Sequence, residues 1–141
     1  MPGTDPLTFL SEEWFAALEA AANATAEVGD ALVGDCVVVR HEVTACPPDG
    51  RRVVYTVRGT PAGTAVRTVR GDGDVQEPVT ASFHTSYDAA REALLGAANA
   101  QQLILDGRLR VHGELDALAR HGPWFDALAR SWTSVRERTI P

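Results

Sequence analysis

The chain reads as an α+β domain. It combines one five-stranded, predominantly antiparallel sheet with helices packed on one face, in the order α-βββ-β-αα-β-αα. Three observations predict this. Trp14, Phe15, Leu18, Ala21 and Ala22 recur at helical spacing near the start. β-Branched runs over about 36–46, 52–59, 64–70 and 78–85 are punctuated by turn residues. Leu103–Leu115 then holds an apolar run ending at Gly107, a short alternating segment, and Gly113 releasing the chain into further apolar periodicity.

Each element follows from local chemistry. Residues 1–10 are expected as a flexible tail. Ser11 is the natural N-cap of the first helix, because Glu12 and Glu13 behind it suit the positive end of the helix dipole. That helix runs to about Thr25, and Gly29–Asp35 is expected as a loop. Pro47-Pro48-Asp49-Gly50, Thr60-Pro61-Ala62-Gly63 and Gly71-Asp72-Gly73-Asp74 supply turn backbones between the strands, making the first three an antiparallel meander. Thr85 or Ser86 caps a helix to about Leu95, and Gly96 breaks it. A second helix over Ala98–Asp106 completes a crossover into the fifth strand, 108–113. A short helix covers Leu115–His121. Gly122-Pro123 starts a final one, with Pro123 at a first-turn position where its missing N–H costs nothing. Phe125, Leu128, Trp132 and Val135 share the apolar face of that helix, with Trp124 at its edge.

Composition narrows the function. At 141 residues the chain suits one domain over 11–141 that folds without cross-links. Its net charge is −6, it has no lysine, and its thirteen arginines are interspersed with acids, so a nucleic-acid partner is not expected. No apolar run approaches the ~20 residues that span a bilayer, and no signal-peptide pattern opens the chain, so neither stable membrane insertion nor export is expected. Cys36 and Cys46 sit near opposite ends of one predicted strand, ~30 Å apart, and read as reduced thiols of a cytoplasmic protein.

Strand parity picks out one covered face. Val37, Val39, His41, Val43 and Ala45 point together, opposite Val38, Arg40, Glu42 and Thr44. Val53, Tyr55 and Val57 do so in the second strand, Val79, Ala81 and Phe83 in the fourth, and Leu109 and Val111 in the fifth, opposite Arg108, Arg110 and His112. Third-strand parity is ambiguous, because Val66 and Val69 fall on opposite faces.

Two stretches carry a resemblance. Phe83-His84-Thr85-Ser86-Tyr87-Asp88-Ala89-Ala90 leads through two helices to Leu105-Asp106-Gly107-Arg108-Leu109-Arg110-Val111-His112-Gly113-Glu114-Leu115. This pattern, with the leading helix and the meander, resembles the sterol carrier protein 2 (sterol-binding) domain family, in a stand-alone bacterial-type form. The match covers about 30–135 in order of elements and 83–118 in sequence detail. The resemblance implies an apolar tunnel between sheet and helices that takes fatty acyl chains, sterols or other lipids. Its lining would be the inward strand residues Val37, Val39, His41, Val53, Tyr55, Val57, Ala81, Phe83, Leu109 and Val111. Phe15 and Leu18 would lie below, Leu103 on the crossover, and Phe125, Leu128 and Trp132 at the end.

Catalytic patterns are weak by comparison. His41 lies on the inward face near Tyr55, where a satisfied core or pocket-lining histidine outweighs an acid–base one. His84 and His112 fall on the outer face, toward solvent. His121 ends a helix, where a protonated imidazole suits the dipole. No zinc-ligand spacing occurs, so no metal is expected. Gly29-Asp30-Ala31-Leu32-Val33-Gly34 has phosphate-loop glycine spacing, but Asp35-Cys36 stands where Lys-Ser/Thr is required. Gly71-Asp72-Gly73-Asp74 lacks the later glutamate of a calcium loop.

The expected function is therefore non-catalytic binding or carriage of a hydrophobic ligand (fatty acid, acyl-CoA, sterol or quinone-like lipid) without a cofactor. One rival is a protein-interaction module with a filled core, using the Trp-bearing last helix on a partner or on a second copy as a homodimer. The other is a small enzyme on a hydrophobic substrate, with His41 and Tyr55 as acid and base.

Overall fold

Helix α1, Glu12–Asn23, begins where the Ser11 hydroxyl accepts the Trp14 N–H at 3.2 Å, satisfying one of the four N–H groups a helix start leaves open. The computed structural model describes residues 6–32, 35–47, 49–69, 79–94 and 100–140. After α1 come α2 (Ala26–Asp30), β2 (Val37–Cys46), β3 (Arg51–Thr60), β4 (Gly63–Val69) and β5 (Ala81–Ser86). The crossover α3 (Tyr87–Leu94) and α4 (Ala100–Leu105) leads to β6 (Leu109–Gly113), α5 (Leu115–Arg120), α6 (Gly122–Ser131) and α7 (Thr133–Arg138). Two short strands, β1 (Leu7–Thr8) and β7 (Thr139–Ile140), complete the order. The main sheet is five-stranded, mixed and mostly antiparallel, in the order β4-β3-β2-β5-β6. The α+β class and five-strand sheet read from the sequence are therefore present.

The chain groups into two compact units. The first comprises Met1–Val37, Arg58–Val66 and Ala119–Pro141. In it Trp14, Phe15, Leu18 and Ala22 form the buried stripe of α1, and Trp124, Ala127 and Leu128 that of α6. Trp124 is fully buried, not at the edge of its helix, because it lies over Gly59: a Cβ there would come within 2.6 Å of the indole. The indole N–H of Trp132 donates to Leu18 O at 2.9 Å. Asn23 serves the edge strand β4 as a strand neighbour would, donating to Thr64 O at 2.9 Å and accepting from Thr64 N at 2.7 Å. Glu19 accepts from Val66 N at 2.9 Å, so α1 side chains satisfy backbone groups an edge strand leaves open.

Three expectations need correction here. Within the expected tail, Leu7–Thr8 pairs in parallel with Thr139–Ile140, and Leu7 and Phe9 are buried. Phe9 meets Trp14 edge-on at 5.0 Å, an aromatic contact strong enough to hold a short segment. The expected loop at Gly29–Asp35 is in part α2, because Val28 and Leu32, four residues apart, bury together in spite of Gly29. His121, expected at the end of a helix, is instead the N-cap of α6 and is buried, its Nε2 3.9 Å from Asp35 Oδ2.

The second unit comprises Val38–Val57 and Arg67–Leu118. Its β2 and β5 run parallel, with Val39 opposite Ala81, His41 opposite Phe83 and Val43 opposite Thr85. β6 returns antiparallel to β5, with Phe83 opposite Val111 and Thr85 opposite Leu109. The helical crossover between β5 and β6 permits this return without a tight hairpin. Ser86 Oγ accepts the Ala89 N–H at 3.2 Å and starts α3, as one of the two expected caps. Gly107 stops the crossover at φ +75°. Gly113 is required where β6 closes on β5: a Cβ would lie 2.5 Å from Thr80 O.

Parity along β2 holds through Val43 and then shifts. Ala45 takes φ +58°, a left-handed backbone, so Cys46 becomes buried and Ala45, expected inward, is exposed. The 71–74 turn and the Gly96 break lie outside the described residues.

Candidate functional site

In the second unit the strands carry two opposed surfaces. The first is apolar. His41 stacks on Tyr55 with ring centroids 4.6 Å apart and planes 3° from parallel, and Phe83 meets His41 edge-on at 5.2 Å. Val39, Val57 and Ala81 are buried beside them, and Leu103 is buried on α4, which packs against β6. His41, Val53, Tyr55, Phe83, Leu109 and Val111 are only half buried. An apolar floor of this size is therefore incompletely covered, although Val54 and Thr56, of opposite parity, are also buried.

Electrostatics on this floor keep it uncharged. Withdrawal from water drives the His41 pKa down to about 4, so the imidazole is neutral at ordinary pH. The same desolvation pushes the Tyr55 phenol well above its usual range. Stacked rings meet face to face and leave each edge to other partners, which is packing geometry, not a proton-transfer line.

The remaining predicted lining residues belong to the first unit. Phe15, Leu18, Val37 and Leu128 are buried there, and Phe125 and Trp132 are half buried. Phe125 packs edge-on against Trp124 at 5.0 Å, and the polar end of Trp132 is committed to Leu18. Phe15 and Leu18 lie on α1, Phe125 and Leu128 on α6, Trp132 at the C-cap of α6, and Val37 opens β2.

The opposite surface of the second unit is polar, and parity reasoning consigned it to solvent. Glu42, Thr44, His84, Thr85, Ser86, Gly107, Arg108, Arg110 and His112 surround an open groove of about 440 Å³. The Glu42 side chain is 13% exposed and central. Its Oε1 accepts from Arg52 at 2.8 Å, its Oε2 lies 2.6 Å from His84 Nδ1, and Arg40 stands 3.6 Å away. Burial pushes its carboxyl pKa upward, but the hydrogen bonds and charges of Arg52 and His84 outweigh this and hold it below the ordinary value. His84 and His112 meet edge-on at 5.2 Å, and Arg108 pairs with Glu92. A signal for this groove was present: Arg40-x-Glu42-x-Thr44, Ser82-x-His84-x-Ser86 and Arg108-x-Arg110-x-His112 are three polar triplets of period two.

Among the described residues no cluster of three His, Cys, Asp or Glu could hold a metal ion. Cys36 is exposed and Cys46 buried, both as free thiols. No helix described is long and apolar enough to cross a membrane.

No protein-family model and no curated protein matches the chain. Solved structures do. A conserved hypothetical protein of Thermus thermophilus, itself named as a candidate sterol carrier protein, superposes with TM-score 0.70 at 16% identity, covering 98% of this chain and 96% of that one. A crystal structure of sterol carrier protein 2 gives 0.67 at 17% identity, over 92% and 98%. The apo sterol carrier protein 2 of Yarrowia lipolytica gives 0.62 at 16%, over 89% and 94%. The recognition made from Phe83–Ala90 and Leu105–Leu115 thus has its structural counterpart: this chain has the fold of sterol carrier protein 2.

Proposed function

We propose that the chain binds and carries a hydrophobic molecule without transforming it. The observation that supports this reading is the apolar strand surface around His41, Val53, Tyr55, Phe83, Leu109 and Val111, which is only half buried. Folds with the same architecture include proteins named as sterol carriers, which favours a lipid occupant.

Burial alone supplies enough affinity. Each acyl CH₂ withdrawn from water contributes about 0.8 kcal/mol, so twelve contribute about 10 kcal/mol. Association costs of roughly 4–15 kcal/mol offset much of this. Micromolar binding that permits release is the expected balance. A neutral His41 suits the role, since a charged imidazole would have to be desolvated each time a lipid entered. The ligand classes that fit are a fatty acid, an acyl-CoA, a sterol or a quinone-like lipid. Of the other predicted lining residues, Val39, Val57, Ala81 and Leu103 belong with this surface, and we assign Phe15, Leu18, Val37, Phe125, Leu128 and Trp132 to the same apolar role in their own unit.

The test is displacement of a fluorescent fatty acid by acyl-CoA, sterol and quinone competitors, with mass spectrometry of an organic extract of the pure protein. We expect saturable probe binding that is lost in Phe83→Asp. If the probe does not bind and the extract holds no lipid, the carrier reading fails and the interaction module takes its place.

A further inference from the structure

We propose that the polar groove on the opposite surface of the second unit is a second, independent ligand site, which takes a phosphate-bearing anion. It does not rest on the lipid reading, because it is built from different side chains with different chemistry.

The residues are placed in rows by strand register. Arg40, Ser82 and His112 form one row, and Glu42, His84 and Arg110 the next. Thr44 and Ser86 follow, flanked by Gly107 and Arg108. Alternation in three hydrogen-bonded strands therefore brings two imidazoles, hydroxyls and arginines to one concavity.

Local charge is opposite in sign to that of the chain. Glu42 is surrounded by Arg40 and Arg52, so this trio carries a net +1. Arg108 is balanced by Glu92. Arg110 has no carboxylate partner among the described residues and is exposed at the groove. The arginines and carboxylates at and around the groove therefore sum to about +2, within a chain of −6. A cation is disfavoured by the same arginines, and no metal cluster forms there among the described residues.

The donors match phosphate. Arg110 offers a planar guanidinium fork, which pairs with two phosphate oxygens at once. Glu42 accepts from His84 Nδ1 and so fixes the orientation of that ring at the groove. Thr44 and Ser86 line the same groove. At about 440 Å³ the groove is in the range of small-molecule pockets and holds a phosphate with an organic group attached. Such a group is borne by soluble phosphomonoesters and by phospholipid headgroups alike.

The experiment uses the whole chain. Inorganic phosphate and glycerol 3-phosphate are titrated at constant ionic strength against chloride, with amide chemical shifts as the readout. Sedimentation with phosphatidylglycerol vesicles, against phosphatidylcholine, is measured in parallel. Saturable shifts confined to residues 84 and 108–112, weakened tenfold or more in Arg110→Ala and in His112→Ala, support the site and a soluble phosphate ligand. Vesicle binding that is lost in Arg110→Ala and competed by phosphate supports the site and a headgroup ligand. Both variants alter exposed residues, and a thermal melt matching the parent confirms that they fold. Absence of binding in both arms, or binding equal in the parent and Arg110→Ala, overturns the proposal. Fatty acid binding unchanged in Arg110→Ala shows that the two sites are separate.

Discussion

Gly59→Ala probes the packing around Trp124. A Cβ on residue 59 would lie 2.6 Å from Cζ2, 2.7 Å from Cε2 and 2.8 Å from Nε1 of Trp124. Comfortable carbon–carbon separations are about 3.5–4.0 Å, so the indole or β3 must move by close to an ångström. Trp124 has no exposed surface into which to retreat. Overpacking of this kind costs about 1–3 kcal/mol. Alanine opposes that by about 0.4–1 kcal/mol, through the unfolded chain's lost freedom. The net expectation is a loss of about 1–2 kcal/mol, or roughly 3–8 °C in melting temperature for a chain of this size. A double-mutant cycle isolates the cause. In a Trp124→Phe background the clashing edge of the indole is gone, so Gly59→Ala should become neutral or stabilising, a coupling of about 1–2 kcal/mol. Trp124→Phe also removes an indole N–H that is buried without a hydrogen-bond partner among the described residues, which offsets part of its own cavity cost. Urea denaturation of the four proteins gives the cycle. An equal penalty for Gly59→Ala in both backgrounds would refute the reasoning.

Two further outcomes are expected. His41 has a folded pKa of about 4 against an ordinary 6.5, so above pH 6.5 neither state binds its proton, and between those values only the unfolded state does. Stability therefore falls with acid by about 1.4 kcal/mol per pH unit across that window. His41→Phe should flatten denaturation midpoints measured between pH 7 and 5, above the range where Glu42 is protonated; an unchanged slope would show that another group carries it. Gly113→Ala should cost about 2–3 kcal/mol, since its Cβ would meet Thr80 O at 2.5 Å and Ala81 Cα at 2.8 Å at a φ of +127°. Hydrogen exchange should show β6 amides losing protection first, and a variant as protected as the parent would contradict the close approach.

Much of this architecture was legible because period and punctuation agreed. Ser11 before two acids, alternation through Val37–Val43, and glycines at 107 and 113 each admit one local structure, and each has it. The order of elements, with a helical crossover between β5 and β6, was legible too; the parallel pairing of β2 with β5 was not, because it joins strands distant in sequence. What escaped notice depended on contacts remote in sequence. Trp124 looked peripheral on its own helix because the glycine it covers is 65 residues earlier, 59 against 124. The Leu7–Phe9 segment looked like a tail because its strand partner is at Thr139–Ile140. The polar groove escaped for another reason: alternation marks a surface as outward but not as concave, and Gly107 and Arg108, which precede β6, line the groove as well.

The pairing of β1 with β7 bears on how the polypeptide is made. Trp14 donates its indole N–H to Thr139 Oγ1 across 125 positions, and Trp132 reaches Leu18 across 114. On a ribosome adding about 5–20 residues per second, α1 would wait roughly 6–25 s for these partners to be synthesised. Throughout that interval Trp14, Phe15 and Leu18 form a greasy stripe that lacks its partners from the last helices. A nascent chain halted before Trp132 should therefore be held by chaperones, and release should follow only when the last helices emerge.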